Sequence, residues 1–191
     1  VTGVQTCALP IFADLRKAFN YLPRAVIMES CALIGIPFQI LTAWAGALAT
    51  LPRFFQINGS LSPPVLSNCG LPEGCALSCL GMMVVDILFH SWMTCYFPLC
   101  QPLSYVDDWQ VLMTDPDALC PVFECLDHFV QAMDLVLDQR KASTWSISAT
   151  GRASIRSHGF TVVAAGKNLG AHVQFIRQHT NKTIIDRITN V

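Results

Sequence analysis

At 191 residues, with 52% apolar and 13% charged residues and a formal net charge of −1, the chain is long enough for one domain with a sizeable core and is oily for a soluble protein. The near-neutral charge argues against a self-sufficient nucleic-acid binder, because phosphate contacts call for a basic surplus, and it leaves open a part of a larger binder or a membrane protein. The nine cysteines show no secretory pattern ahead of them and no tight Cys-x₂-Cys spacing of a zinc site, so they read as buried, reduced thiols in a reducing compartment.

Val1 to Ile11, VTGVQTCALPI, resemble the in-frame translation of a sequencing-library adapter, and the fold reading begins at Phe12. Phe12 to Asp14 reads as a short apolar strand ending in an acid. Arg24 to Leu51 reads as one helix with apolar positions on all faces and no charge between Glu29 and Arg53. That run meets the roughly 20 residues of a membrane span, while Pro37, Gln39 and Thr42 favour a helix buried between a sheet and a neighbouring subdomain.

Phe54 to Asn58 reads as a strand turning at Asn58-Gly59, with Leu61 to Leu66 returning from it and a loop from Ser67 to Gly74. Ala76 to Trp92 has helical character with Asp86 as its one charge. An integral membrane reading would place spans near Cys31 to Pro52 and Ala76 to Leu99, where Asp86 would be expensive at mid-bilayer.

Pro102 to Val106 and Trp109 to Met113 flank Asp107-Asp108, which reads as a hairpin tip because Asp favours tight turns. Side chains alternate faces along a strand, so one of the two carboxylates points firmly into any given site, and a second acid has to come from elsewhere. Asp14 is the candidate. Asp115-Pro116-Asp117 starts a helix through Leu119, Val122, Phe123, Leu126, Phe129, Val130 and Met133. Ser143 to Ser148 reads as a strand, and Gly159 to Ala164 with Asn168 to Phe175 as a hairpin turning near Ala165-Gly166-Lys167. The tail from Ile176 to Val191 is polar and basic. The order predicts an α+β fold of split β-α-β type, an antiparallel sheet with helices packed on one face.

Asp14 followed five residues later by Phe19, then Gly70-Leu71-Pro72-Glu73-Gly74, then Tyr105-Val106-Asp107-Asp108, in this order, resembles reverse transcriptases, and most of all the non-LTR, LINE-type retroelement enzymes. The resemblance implies a polymerase palm over residues 12–175, with truncated fingers, no thumb, and the start of a thumb or connection over 176–191. It implies an RNA-directed DNA polymerase with two Mg²⁺ ions, or Mn²⁺ in their place, held by Asp14 and Asp107, with the Leu15 carbonyl adding an oxygen and Asp108 in support. Phe19 would lie under the sugar of the incoming nucleotide and exclude a 2′-hydroxyl. Gly70, Pro72, Glu73 and Gly74 would support the templating base and nucleotide beside Tyr105 and Val106. Lys141 would donate a proton to the departing pyrophosphate, and Lys167, Leu169, Gly170 and His172 would grip the primer. The implied partners are an RNA template, a DNA primer and dNTPs, with no membrane, in the cytoplasm or nucleus.

The chain departs from the family pattern with Glu73 where Gln is usual, Cys75 where Asp is usual and Ala76 where Pro is usual, which implies a divergent lineage or a palm that has lost turnover. Read from the residues alone, a solvated turn is the lesser alternative at Asp107-Asp108, and Phe19 reads as a core side chain.

Overall fold

In the computed structural model, residues 9–138, 141–146, 148–163, 165–168 and 171–174 are described. Strand β1 (Leu9–Asp14) buries Leu9, Pro10, Ile11 and Ala13, leaves Phe12 and Asp14 half-buried, and begins inside the adapter-like segment. Leu9, Pro10 and Ile11 pair with Met113, Leu112 and Val111, so the fold reading starts at Leu9 and not at Phe12.

After one helical turn, α1 (Ala18–Tyr21), the run from Arg24 forms two helices instead of one, α2 (Arg24–Leu33) and α3 (Phe38–Thr50). The break is local chemistry. Gly35 takes φ 91, its amide bonds the Ala32 carbonyl and the Ile36 amide bonds the Cys31 carbonyl, a Schellman stop that Pro37 then enforces. Helices of 10 and 13 residues are too short to span a bilayer, which removes the first membrane candidate.

Between the helices and the next long one lie four short strands, β2 (Pro52–Arg53), β3 (Gln56–Ile57), β4 (Ser60–Leu61) and β5 (Val65–Leu66). The Asn58-Gly59 hairpin forms as expected but is only two residues deep, and β5 pairs with β2 instead of continuing it. Helix α4 (Ala76–Tyr96) is long and apolar enough to cross a membrane, the one such helix among the described residues. It buries Gly81, Met82, Val85, Phe89 and Met93 on one side and packs against α2, the helix Leu119–Ala132 and the strand Gln101–Tyr105.

Strands β6 (Gln101–Tyr105) and β7 (Asp108–Met113) form the central hairpin, and a 3₁₀ turn capped by Asp115 leads into α5 (Leu119–Ala132), which buries Leu119, Val122, Leu126, Phe129 and Val130 at helical spacing. Only Ser143–Thr144 of the predicted strand pairs, as β8. Ser148 leaves it to cap α6 (Ala149–Ser157), its hydroxyl accepting from the Gly151 amide. Strands β9 (Ala165–Asn168) and β10 (Ala171–Gln174) pair Lys167 with His172, so that hairpin turns after Asn168 and not near Gly166.

The main sheet is antiparallel with order β6-β7-β1-β8. One face carries Ala13, Ile11, Trp109, Val111 and Met113 into the core against α4 and α5. Trp109 stacks on Phe89 of α4 at 4.3 Å between centroids and 7°, and meets Phe129 of α5 at 5.7 Å. The other face, with Phe12, Asp14, Asp108 and Gln110, stays half-buried. This is the predicted α+β arrangement, helices on one face of an antiparallel sheet.

Candidate active site

The acids meet where β1 ends. Asp14 pairs with Asp108 across the β1–β7 ladder and Tyr105 pairs with Asp108 across β6–β7. Direct partners share a face of the sheet, which puts these three side chains on the half-buried face and Ala13, Ser104 and Trp109 on the core face. The turn itself is Val106-Asp107, one residue earlier than the predicted Asp107-Asp108, and Asp108 belongs to the strand.

A two-residue hairpin loop demands positive φ, and Val106 supplies it at φ 59. For a β-branched residue that conformation costs about 1–3 kcal/mol and persists only where the surroundings impose it. Here the Trp109 indole N–H donates to the Val106 carbonyl at 3.2 Å, and the Leu15 amide donates to the Asp107 carbonyl at 3.3 Å.

Lys141 reaches the same point from the other edge. The Asp138 amide bonds the Asp14 carbonyl and the Lys141 amide bonds the Asp138 carbonyl, a turn that delivers the ammonium to both Asp14 oxygens at 3.0 and 2.9 Å. That hydrogen bond, with the charge of Asp14 behind it, raises the Lys141 pKa. Burial, then the charges of Asp107 and Asp14, raise the Asp108 carboxyl above its usual range, with Lys141 opposing them. The carboxylates repel one another, and a cation would relieve them.

Among the described residues no three His, Cys, Asp or Glu side chains stand close enough to cage a metal by themselves. Mg²⁺ does not ask for such a cage, since it is commonly held by one or two carboxylates together with waters and substrate phosphates. Asp14, Asp107, Asp108 and the Leu15 carbonyl are hard oxygen donors of the type Mg²⁺ and Mn²⁺ take, so the donor chemistry fits.

The predicted nucleotide residues form a second unit joined to the first by α1. The Leu71 amide donates to the Phe19 carbonyl at 2.6 Å and the Gly70 amide to the Leu22 carbonyl at 2.8 Å, stitching the Gly70–Gly74 loop to the segment just after Asp14. Gly70 has φ 74, and a Cβ there would lie 2.5 Å from the Asn20 carbonyl oxygen. Leu71 is buried against Gly81 of α4, Pro72 opens the turn into Cys75, and Gly74 takes φ 84. Glu73 accepts from the Asn20 side-chain amide at 3.3 Å. The Cys75 thiol sits at the start of α4, where the amides of Leu77 and then Ser78 lower its pKa.

Of the predicted primer-grip residues, Lys167 and His172 are strand partners, while Leu169 and Gly170 lie outside the described residues. Sequence reasoning missed Arg24, whose guanidinium donates to the carbonyls of Gly70 (2.7 Å), Leu48 (2.8 Å) and Ser67 and so ties the loop to the end of α3. The available signal was a lone cation between Lys17 and Arg53, ahead of an apolar run.

Several solved structures share this architecture. A telomerase from Candida tropicalis truncated of its C-terminal domain aligns with TM-score 0.63 at 13% identity over 88% of this chain and 34% of that one. Telomerase from Candida tropicalis in complex with a TWJ fragment of telomeric RNA gives TM-score 0.65 at 11% identity over 88% and 29%. The Candida albicans counterpart, also in complex with a TWJ fragment of telomeric RNA, gives 0.60 at 12% over 96% and 35%. At these identities the likeness is one of fold, and the chain spans about a third of the length of those proteins. No curated protein sequence matches it significantly. The profile of the family described as reverse transcriptase (RNA-dependent DNA polymerase) matches residues 3–173, nearly the whole chain, and by that match the chain belongs to the reverse transcriptase family.

Proposed function

We propose that this chain is the palm of an RNA-directed DNA polymerase from a non-LTR retroelement, working inside the cell on an RNA template, a DNA primer and dNTPs. The observation that carries the reading is the meeting of Asp14, Asp108 and the Val106-Asp107 turn at one end of β1, with Lys141 on Asp14. Asp14, Asp107 and the Leu15 carbonyl would hold divalent cations, with Asp108 in support. Such ions, when bound, stabilise the charge that develops on the attacking and leaving oxygens.

The chain's own residues have separate tasks. Phe19, whose carbonyl accepts from Leu71 and whose side chain is partly buried against the core, would act as the gate that favours deoxyribonucleotides. Gly70 to Gly74 position template and nucleotide by backbone approach. Lys141 is charged throughout the neutral range and stands on Asp14, where it can hand a proton to pyrophosphate as the primer hydroxyl gives its own proton to solvent, its oxygen bonds the α-phosphorus and the phosphoanhydride bond breaks. Lys167 and His172 contact primer phosphates. Glu73 is held by Asn20, and its charge near a triphosphate either lowers affinity in a divergent enzyme or marks a palm without turnover.

Primer extension by the chain joined to the segments that flank it in the parent gene tests the reading. Extension on an RNA template that is lost in Asp14→Ala and Asp107→Ala supports it, and extension that survives Asp107→Ala would sink it.

A further inference from the structure

Asp86 is the one acid on an otherwise apolar α4 of 21 residues, and the polymerase chemistry above gives it no part. Its carboxylate is half-buried and accepts from neutral donors, the Trp109 indole at 2.9 Å and the Ser104 hydroxyl, whose oxygen also lies 3.0 Å from His90 Nε2. A desolvated carboxylate facing neutral donors is costly, so its presence calls for a structural task.

The task is visible in Trp109. The ring is 1% exposed and clamped by Phe89 and Phe129, so its N–H has a fixed direction. That one N–H is shared between Asp86 and the Val106 carbonyl. The Val106 carbonyl belongs to the peptide plane that precedes Asp107, and the Asp107 carbonyl, held by the Leu15 amide, belongs to the plane that follows it. Peptide units are rigid, so holding both planes sets φ and ψ of Asp107 and thereby the direction of its side chain.

We propose that Asp86 and Trp109 are positioning residues for Asp107: the α4 carboxylate orients the indole N–H, and the indole grips the strained turn from its core side while Leu15 grips it from the sheet edge. The inference rests on the reading of Val106-Asp107 as a catalytic turn only for its consequence in activity.

The test is hydrogen exchange on the 191-residue chain, read at the Leu15 amide, which reports the Asp107 carbonyl directly. Trp109→Phe keeps an aromatic side chain between Phe89 and Phe129 and removes the donor, Asp86→Leu removes the acceptor, and Asp86→Asn keeps it. Measured relative to the β1–β7 amides near Met113 and the middle of α5, so that a change in global stability cancels, Leu15 should exchange about tenfold faster or more in the first two variants and within about twofold of the parent in Asp86→Asn.

Unaltered Leu15 exchange in Trp109→Phe or Asp86→Leu overturns the proposal. So does equal acceleration at all three places, which would mark general loosening, and so does Asp86→Asn behaving like Asp86→Leu. In the parent enzyme Trp109→Phe and Asp86→Leu should lower kcat with KM for dNTP unchanged, and Asp86→Asn should leave both near the parent values. Extension that survives Asp107→Ala would refute the catalytic reading while leaving the exchange result to stand on its own.

Discussion

Asp14 and Asp108 are direct cross-strand partners at the end of the β1–β7 ladder, on the face turned away from Trp109. Like charges directly opposite one another oppose folding, and the Asp108 carboxyl is raised first by its burial, then by the charge of Asp107 and then by that of Asp14. A carboxyl whose folded pKa lies above its unfolded value favours the protonated state on folding, so its penalty sets in as pH rises past the ordinary carboxylate range. Asp108→Asn should therefore stabilise the chain by about 0.5–1 kcal/mol at pH 7 and by nothing at pH 3, in urea titrations. The same variant should weaken Mn²⁺ binding in calorimetric titration, because a hard oxygen anion is lost.

Asp86 makes a sharper pH test. Burial pushes its carboxyl from 3.8 up to about 6, with the hydrogen bonds from Trp109 and Ser104 pulling the other way and Asp107 adding to the rise. The unfolded chain releases this proton first, so stability falls between about pH 4 and pH 6 and stays lower above that. The carboxylate is half-exposed, so after discounting for solvent the loss is about 1–2 kcal/mol. Asp86→Asn should recover it at pH 8 and show no gain at pH 3. A gain of equal size at both would rule out the charge as its cause.

Gly70 and Gly74 both have positive φ but differ in surroundings. A Cβ on Gly70 meets the Asn20 carbonyl oxygen at 2.5 Å and the Phe19 carbonyl oxygen at 2.9 Å, whereas one on Gly74 meets nothing within 4 Å. Gly74→Ala should cost about 1–2 kcal/mol, the left-handed penalty alone. Gly70→Ala should cost at least about 1 kcal/mol more, because backbone has to move. Equal denaturation midpoints for the two variants would show that the loop is not packed on Phe19 and Asn20.

Glu73 accepts from Asn20 through one oxygen, a contact that Gln would keep. Glu73→Gln removes an anion beside the proposed triphosphate position. In a solvent-facing site a charge at such range is worth about 1 kcal/mol or less, so dNTP affinity should improve by up to about fivefold. Weaker binding in Glu73→Gln would show that the carboxylate itself serves the nucleotide.

The surface carries large apolar side chains, among them Leu33 at 82% exposure, Phe38 at 77% and Ile57 at 71%, on α2, α3 and the β3–β4 hairpin. Apolar patches of this kind mark contact surfaces or aggregation sites. The chain expressed alone should elute from a size-exclusion column as oligomer or aggregate, and Leu33→Glu with Phe38→Glu should shift it toward monomer. A sharp monomer peak without those changes would contradict this.

Much of the architecture was legible because its signals are local. The 3.6-residue period from Leu119 to Val130, the apolar runs on either side of Asp107 and the Asn58-Gly59 turn each depend on neighbours a few residues away, and the order of Asp14, the Gly70–Gly74 loop and Tyr105-Val106-Asp107-Asp108 marked the family. The stop at Gly35-Ile36-Pro37 was equally local, and a continuous apolar run hid it. The adapter-like appearance of the first residues likewise hid that Leu9 and Ile11 are apolar at alternate positions and pair with β7.

By itself the sequence determined the long apolar helix from Ala76, the amphipathic helix from Leu119 with the face it buries, and the acids between apolar strands, because propensity and periodicity are properties of adjacent residues. Tertiary structure alone decided that the turn sits at Val106-Asp107 instead of Asp107-Asp108. A β-branched residue at positive φ is locally unfavourable, and it holds only because Trp109, fixed between Phe89 and Phe129, and Leu15, some ninety residues earlier in the chain but next to the turn in the sheet, bind the carbonyls of Val106 and Asp107.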